Sequence, residues 1–226
     1  MGIKNLGITT DFRAFFGDDN PQLAAFESLE ESFTRQDTLV FYIETTQGEV
    51  FQKTIIEVVK QLTEKAWQLP YSTRVDSISN FQYTFVDGDS LLIEDMIGPE
   101  NTLTKSELIT IRKRVLSEPS LKNTLASENG KVTAVKVTLD LPREAAEASQ
   151  EIVDEARLLI NEFTNQNPTI IMRLLGSVSI NIAMKEVAEH DMTTLVMASY
   201  LLIIGGLIVL LRSFRHASMT LLIISL

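Results

Sequence analysis

Lys131 to Leu175 reads KVTAVKVTLDLPREAAEASQEIVDEARLLINEFTNQNPTIIMRLL, and two changes of period within it decide the fold. Up to Leu141 the apolar residues alternate. Val135, Val137, Leu139 and Leu141 share one face, and Lys136, Thr138 and Asp140 take the other, the period of two expected of a half-buried strand. Beyond Pro142 the spacing becomes helical. Ala145, Ala148, Ile152, Ala156, Leu159 and Phe163 form one narrow apolar stripe along a long helix. Thr169 to Leu175 returns to strand, which makes a strand–helix–strand unit.

The same order occurs upstream. Asp37 to Thr45 (DTLVFYIET) is rich in β-branched and aromatic residues, and Phe51, Ile55, Val58, Leu62 and Ala66 recur at helical spacing before Pro70. Arg74 to Asn80 and Ser90 to Ile97 read as further strands, with Asp87-Gly88-Asp89 as the turn before the latter. Thr104 to Leu116 is a helix opened by a capping box of Thr104 and Glu107. Leu121 to Ser127 and Lys131 to Leu141 flank Glu128-Asn129-Gly130, a hairpin signal. The order β-α-β-β-α-β-β-α-β predicts an α+β sandwich with helices on one face of a mixed sheet. Its core is the split β-α-β, ferredoxin-like arrangement, with Asn80 to Ser117 inserted between the halves.

The C-terminal third is different in kind. Met192 to Leu211 is uncharged, and as a helix it would be roughly 30 Å long, the thickness of a bilayer's hydrocarbon core. TLVMASYLLIIGGLIVLL has no polar face, which predicts a transmembrane helix and makes the lipid bilayer a partner. Ser177 to Met192 contains neither proline nor glycine, and Val178, Ile182, Val187 and Met192 run along one side. One nearly continuous helix over 177–211 is therefore expected, with a break near His190-Asp191 as the competing possibility. Arg212 and Arg215 stand in the short connection 212–216. Basic short loops stay in the cytoplasm, so these two arginines determine topology. Residues before about 191 then lie on the periplasmic or external side of an inner (cytoplasmic) membrane, and 217–226 begins another span. The opening MGIKNLGITTDFRAFF lacks the apolar core of an export signal. The expectation is that a membrane span precedes residue 1, that both ends are cut, and that the chain is a fragment of a larger membrane protein. Residues 1–35 are an extended or helical lead-in, and 36–176 form the external domain.

Charge narrows the function classes. All 30 acidic residues precede Met192, together with 18 of the 20 basic ones, a net of −12 that disfavours nucleic acid as a partner. There is no cysteine. His190 and His216 lack a second ligand at metal spacing, and Asp18-Asp19-Asn20 and Asp87-Gly88-Asp89 lack the terminal glutamate of an EF-hand. Ser127 is not in a nucleophile elbow, and no phosphate-binding glycine loop occurs. The reading is a non-enzyme without catalytic, cofactor or metal residues.

Three stretches carry a resemblance. TTDFRAFFGDDNPQLAAFESLEESF (Thr9 to Phe33), TRVDSISNFQYTFVDGDSLLIEDMI (Thr73 to Ile97) and SEPSLKNTLASENGKVTAVKVTLDLP (Ser117 to Pro142) resemble successive blocks of MMPL-type exporters of the resistance-nodulation-division superfamily. The resemblance spans essentially the whole chain. It implies a first external porter domain and second membrane helix from a twelve-helix exporter built of two similar halves and driven by an ion gradient. Partners would be a hydrophobic or lipid-like substrate, a second porter domain and further membrane helices; a homo-oligomer is left open. Acidic relay residues of such proteins lie in a later helix, so none is carried over. Trp67, Phe81, Tyr83 and Phe85 are candidates for lining a substrate cleft, with ordinary core packing as the competing role. A membrane-anchored receptor or sensor ectodomain and an assembly scaffold are the alternative functions.

Overall fold

The computed structural model of the chain describes residues 20–32, 37–98, 103–142 and 146–211. It divides into two compact units, the larger covering Phe16–Ile182 and the second containing the chain from Ala183 onward.

The larger unit is α+β. Its sheet is built from β1 (Asp37–Thr45), β2 (Ser72–Asp76), β5 (Val132–Leu139) and β6 (Ile170–Leu175), in the spatial order β2-β5-β1-β6. Two crossover helices serve it. The first, α2 (Lys53–Ala66), joins β1 to β2; the second, α4 (Ala146–Gln166), joins β5 to β6. This is the split β-α-β arrangement expected from the two repeated units. All three pairings, β1 with β5, β1 with β6 and β2 with β5, are antiparallel. The sheet is therefore not mixed. Each crossover skips over one strand position, so strands of equal direction never become neighbours.

Burial alternates along β1 without a slip. Leu39, Phe41 and Ile43 are fully buried, each opposite Val137, Val135 and Thr133 of β5 in turn. Against this face pack α2, across β2 and β5, and α4, against β6. From α2 come Ile55, Ile56, Val59 and Leu62, and from α4 come Ile152, Val153, Ala156 and Phe163. Each fully buried side chain of this size contributes about 1.5–3 kcal/mol relative to exposure, so alternation alone fixes the register. The other sheet face stays open. Tyr42 and Glu44 stand there with Arg173, whose guanidinium bonds Glu44 Oε2 at 3.0 Å and lies 5.9 Å from the Tyr42 ring centroid.

Between β2 and β5 the chain forms a separate hairpin, β3 (Gln82–Asp87) and β4 (Ser90–Asp95), and α3 (Lys105–Ser117). The capping box is present. Glu107 N–H donates to Thr104 Oγ1 at 3.3 Å and Thr104 N–H to Glu107 Oε2 at 2.6 Å. Three strand readings differ from the sequence: β2 ends at Asp76 and not at Asn80, and two further segments change. Gln82–Asp87 is a strand where only its turn was foreseen. Leu121–Ser127 is not a strand, since the Leu121 carbonyl accepts from the N–H groups of Thr124, Leu125 and Ala126 and curls the segment into turns. Asn123, at φ +62, makes that curl possible.

Ahead of β1, α1 (Pro21–Ser32) starts with proline at its first position and the Asn20 side chain capping Gln22 N–H at 2.9 Å. After β6, α5 (Ser177–Leu211) is a single helix. It contains an 18-residue window of mean hydropathy 2.2 and, among the described residues, is the one helix long and apolar enough to cross a membrane. Arg212, Arg215, His216 and the start of the next apolar run lie outside the described residues.

Candidate functional site

A cleft of about 450 Å³ opens where β2 and β5 meet the inserted segment. Its base is the open face of that strand pair. Val75 and Val137 point into the core, so Arg74, Asp76 and Lys136 point the other way. Asp76 is the register partner of Lys136 across the two strands. Arg74 Nε donates to Asp76 Oδ1 at 2.8 Å.

One wall is the turn after β2. Ser77, almost wholly buried, ties it down. Its N–H donates to Asn80 Oδ1 at 2.9 Å, and its hydroxyl accepts from Thr63 Oγ1 of α2 at 2.9 Å. Asn80 Nδ2 completes the brace by donating to the Val75 carbonyl at 2.7 Å. These bonds explain why β2 stops at Asp76: serine and asparagine side chains give the backbone a turn in place of a ladder.

The opposite wall is the curl from Ser120 to Leu125. Thr133 Oγ1 on β5 donates to the Leu125 carbonyl at 2.9 Å, and Ser120 Oγ donates to Glu118 Oε1 at 2.6 Å. Leu121 and Leu125 are buried behind this wall and Phe81 is half-buried at the other. Both walls are thus held by their own hydrogen bonds.

The four aromatic candidates are placed differently. Phe81 lines the cleft. Tyr83 and Phe85 follow it along β3, stacked with centroids 6.0 Å apart, beneath the Arg114 guanidinium of α3 at 4.8 and 5.3 Å. That arrangement, with Glu94 3.8 Å from Arg114, fastens the hairpin to α3 by cation–π attraction. Trp67 is the C-cap residue of α2, about half exposed, and does not line the cleft. The polar residues of the cleft were absent from the sequence reading. Lys136 carried a signal, as the one charge within Val132–Leu139 and on the face opposite the apolar set. The turns that bring Asn80 and Thr124 towards it had none, because they depend on contacts distant in sequence.

Two comparisons with known proteins add to this geometry. A family model described as the MMPL family matches residues 14–226, which takes in the domain, the cleft and the apolar helix. No curated protein matches the chain.

Proposed function

The chain belongs to the MMPL family, a family of membrane transporters of the resistance-nodulation-division type, and from that premise we propose that it serves an exporter of hydrophobic or lipid-like molecules driven by the proton-motive force. The larger unit is the external porter domain, on the periplasmic side of the inner membrane, and its cleft is part of the substrate path. Arg212 and Arg215 hold the cytoplasmic end of the span. The chain works within a larger transporter assembly that supplies a second porter domain, further membrane helices and the intramembrane acids of the proton relay.

The observation that carries this reading is the composition of the cleft in a chain of this family. It is preformed, of ligand-pocket size, and combines an aromatic side chain with a few convergent polar groups, as small-molecule sites do. Phe81 is its apolar contact. Tyr83 and Phe85 support it from behind by fixing the hairpin.

The test uses the complete transporter reconstituted in vesicles with an imposed pH gradient and a hydrophobic fluorescent cargo. Export that collapses with a protonophore supports the proposal; export that persists on a sodium gradient alone overturns proton coupling. A photo-reactive phenylalanine analogue at position 81 should label the cargo, and one at Trp67 should not. Equal labelling at both positions would remove the cleft from the path.

A further inference from the structure

We propose that the cleft receives the anionic head of an amphiphile, a carboxylate or phosphate monoester on an apolar chain, with Lys136 as its charge partner. The inference rests on the transporter reading for its setting, and on the cleft alone for its chemistry.

Three charged residues line the cleft: Arg74, Asp76 and Lys136. The carboxylate opposite Lys136 is engaged by Arg74 at 2.8 Å, and among the described residues Lys136 makes no ion pair. Two cations against one carboxylate leave one positive charge over, in a chain whose formal net charge is −10. An ammonium that lines a cleft without an ion-pair partner can be met there by an anion, and the resulting charge-assisted hydrogen bond is among the strong ones.

The hydrogen-bonding groups around Lys136 divide in the same sense. Ser77, Asn80 and Ser120 are already bonded within the walls. Gln82 and Thr124 are not; among the described residues neither side chain has a hydrogen-bond partner. The groups left over are therefore an ammonium, an amide and a hydroxyl, all able to donate. A carboxylate or phosphate, which only accepts, matches them; an amine or quaternary ammonium does not.

The apolar half of the ligand follows from two further observations. Phe81 stands beside Gln82 on the same rim, so head and chain would meet the protein side by side. The acidic balance of the chain disfavours accumulation of a small free anion at its surface. An anion that binds here must gain from burying an apolar part as well as from Lys136.

The experiment takes the 226-residue chain in a zwitterionic detergent and measures saturable binding of octyl phosphate and octanoate, with octanol, octyltrimethylammonium and inorganic phosphate as the comparison probes. Both anionic amphiphiles should bind, and Lys136→Gln should weaken them at least tenfold, about 1.4 kcal/mol, while Lys136→Arg stays within about threefold of the unaltered chain on the same scale. Octanol should bind more weakly and be indifferent to Lys136→Gln. Inorganic phosphate should bind at least tenfold more weakly than octyl phosphate. Octanol or the trimethylammonium probe matching octanoate, no loss in Lys136→Gln, or no saturable binding at all would overturn the proposal. Inorganic phosphate matching octyl phosphate would overturn it in favour of a free-anion site. Should Lys136→Gln fail to fold, Gln82→Leu and Thr124→Val, both at exposed positions, carry the same comparison. The transporter reading fails separately: the complete protein would then export no hydrophobic cargo even though octyl phosphate binds.

Discussion

Gly176 lies directly over the Thr38 carbonyl. A Cβ at position 176 would fall inside van der Waals contact of the Thr38 oxygen, 2.9 Å from its carbonyl carbon and 3.0 Å from Leu39 Cα. All three are backbone atoms of the central strand β1. The residue is also at φ +108, where side chains are strained. Thr38 N–H then donates to Ser177 Oγ at 2.9 Å, which closes the junction between β6 and the first turn of α5. Gly176→Ala should therefore destabilise the larger unit by about 3 kcal/mol or more, combining backbone strain with overpacking. Gly88, at φ +61 with open space around it, separates the two causes: Gly88→Ala should cost only about 1 kcal/mol. Denaturant midpoints for the two variants check this, and equal costs would show that the close approach to Thr38 relaxes.

The core continues past that junction. Val178 and Ile182 are buried, at 2% and 4% exposure, in the same cluster as the sheet face. Burial of two such side chains contributes together about 3–6 kcal/mol, an upper value because unfolded chains already bury some of that area. A chain of residues 16–182 should be soluble without detergent and unfold in one cooperative step. The same chain ending at Gly176 should lose most of that stability. Aggregation of the longer form would show that the unit depends on the rest of the transporter.

How far the sequence could be read follows from where each signal was local. The alternation of Val135, Val137 and Leu139, the stripe of α4 and the Thr104–Glu107 box each lie within a single element, and each predicted its element. The pairing of β2 with β5 is not local. Between Asp76 and Lys136 lie a hairpin and a helix, so nothing in either strand's composition announces that an arginine, an aspartate and a lysine share one cleft. Leu121–Ser127 was misread for a related reason. Its position before the Asn129-Gly130 turn signal suits a strand, but hydrogen bonds from its own backbone to the Leu121 carbonyl win once Asn123 adopts a positive φ. Trp67 is a cleft candidate only as an aromatic residue, and composition cannot tell a helix cap from a cleft wall.

Glu49 and Arg112 tie the loop after β1 to α3. Arg112 Nε and Nη2 donate to the two carboxylate oxygens at 2.6 and 3.1 Å. The hydrogen bond and the charge of Arg112 hold the Glu49 carboxyl below the usual carboxylate range. A group whose folded pKa is depressed adds stability above its unfolded pKa and loses it as pH falls through the folded value. Glu49→Gln should therefore be less stable than the unaltered chain at neutral pH. The gap should shrink as pH drops through and below the ordinary carboxylate range, and also with added salt, since both side chains are partly exposed. Unfolding midpoints of the two proteins across pH 2.5 to 7 make the comparison. A gap independent of pH would mean that packing of the Glu49 side chain, not its charge, matters.

Within α5, helical structure runs unbroken through the stretch between the domain core and the apolar span. Lys185 and Glu189 stand one turn apart at 3.9 Å, and Thr193 Oγ1 donates to the Glu189 carbonyl at 2.8 Å. No proline or glycine interrupts it between Ser177 and Tyr200. On the proposed exporter reading, transport by rocking requires that motion of membrane helices reach the larger unit, and α5 is the one element that runs from that unit into the apolar stretch. Four Gly-Ser residues inserted after Glu189 break the hydrogen-bond ladder, since each interior glycine alone costs about 1 kcal/mol of helix relative to alanine. In the complete transporter this insertion should reduce export to background while expression, membrane insertion and cooperative unfolding of the larger unit are kept. Seven helix-forming residues inserted at the same place add close to two turns at 3.6 residues per turn, so the faces return nearly to register. That variant should retain a substantial part of the activity. Loss of export in both would assign the effect to added length, and undiminished export from the Gly-Ser form would show that continuity of α5 carries no coupling.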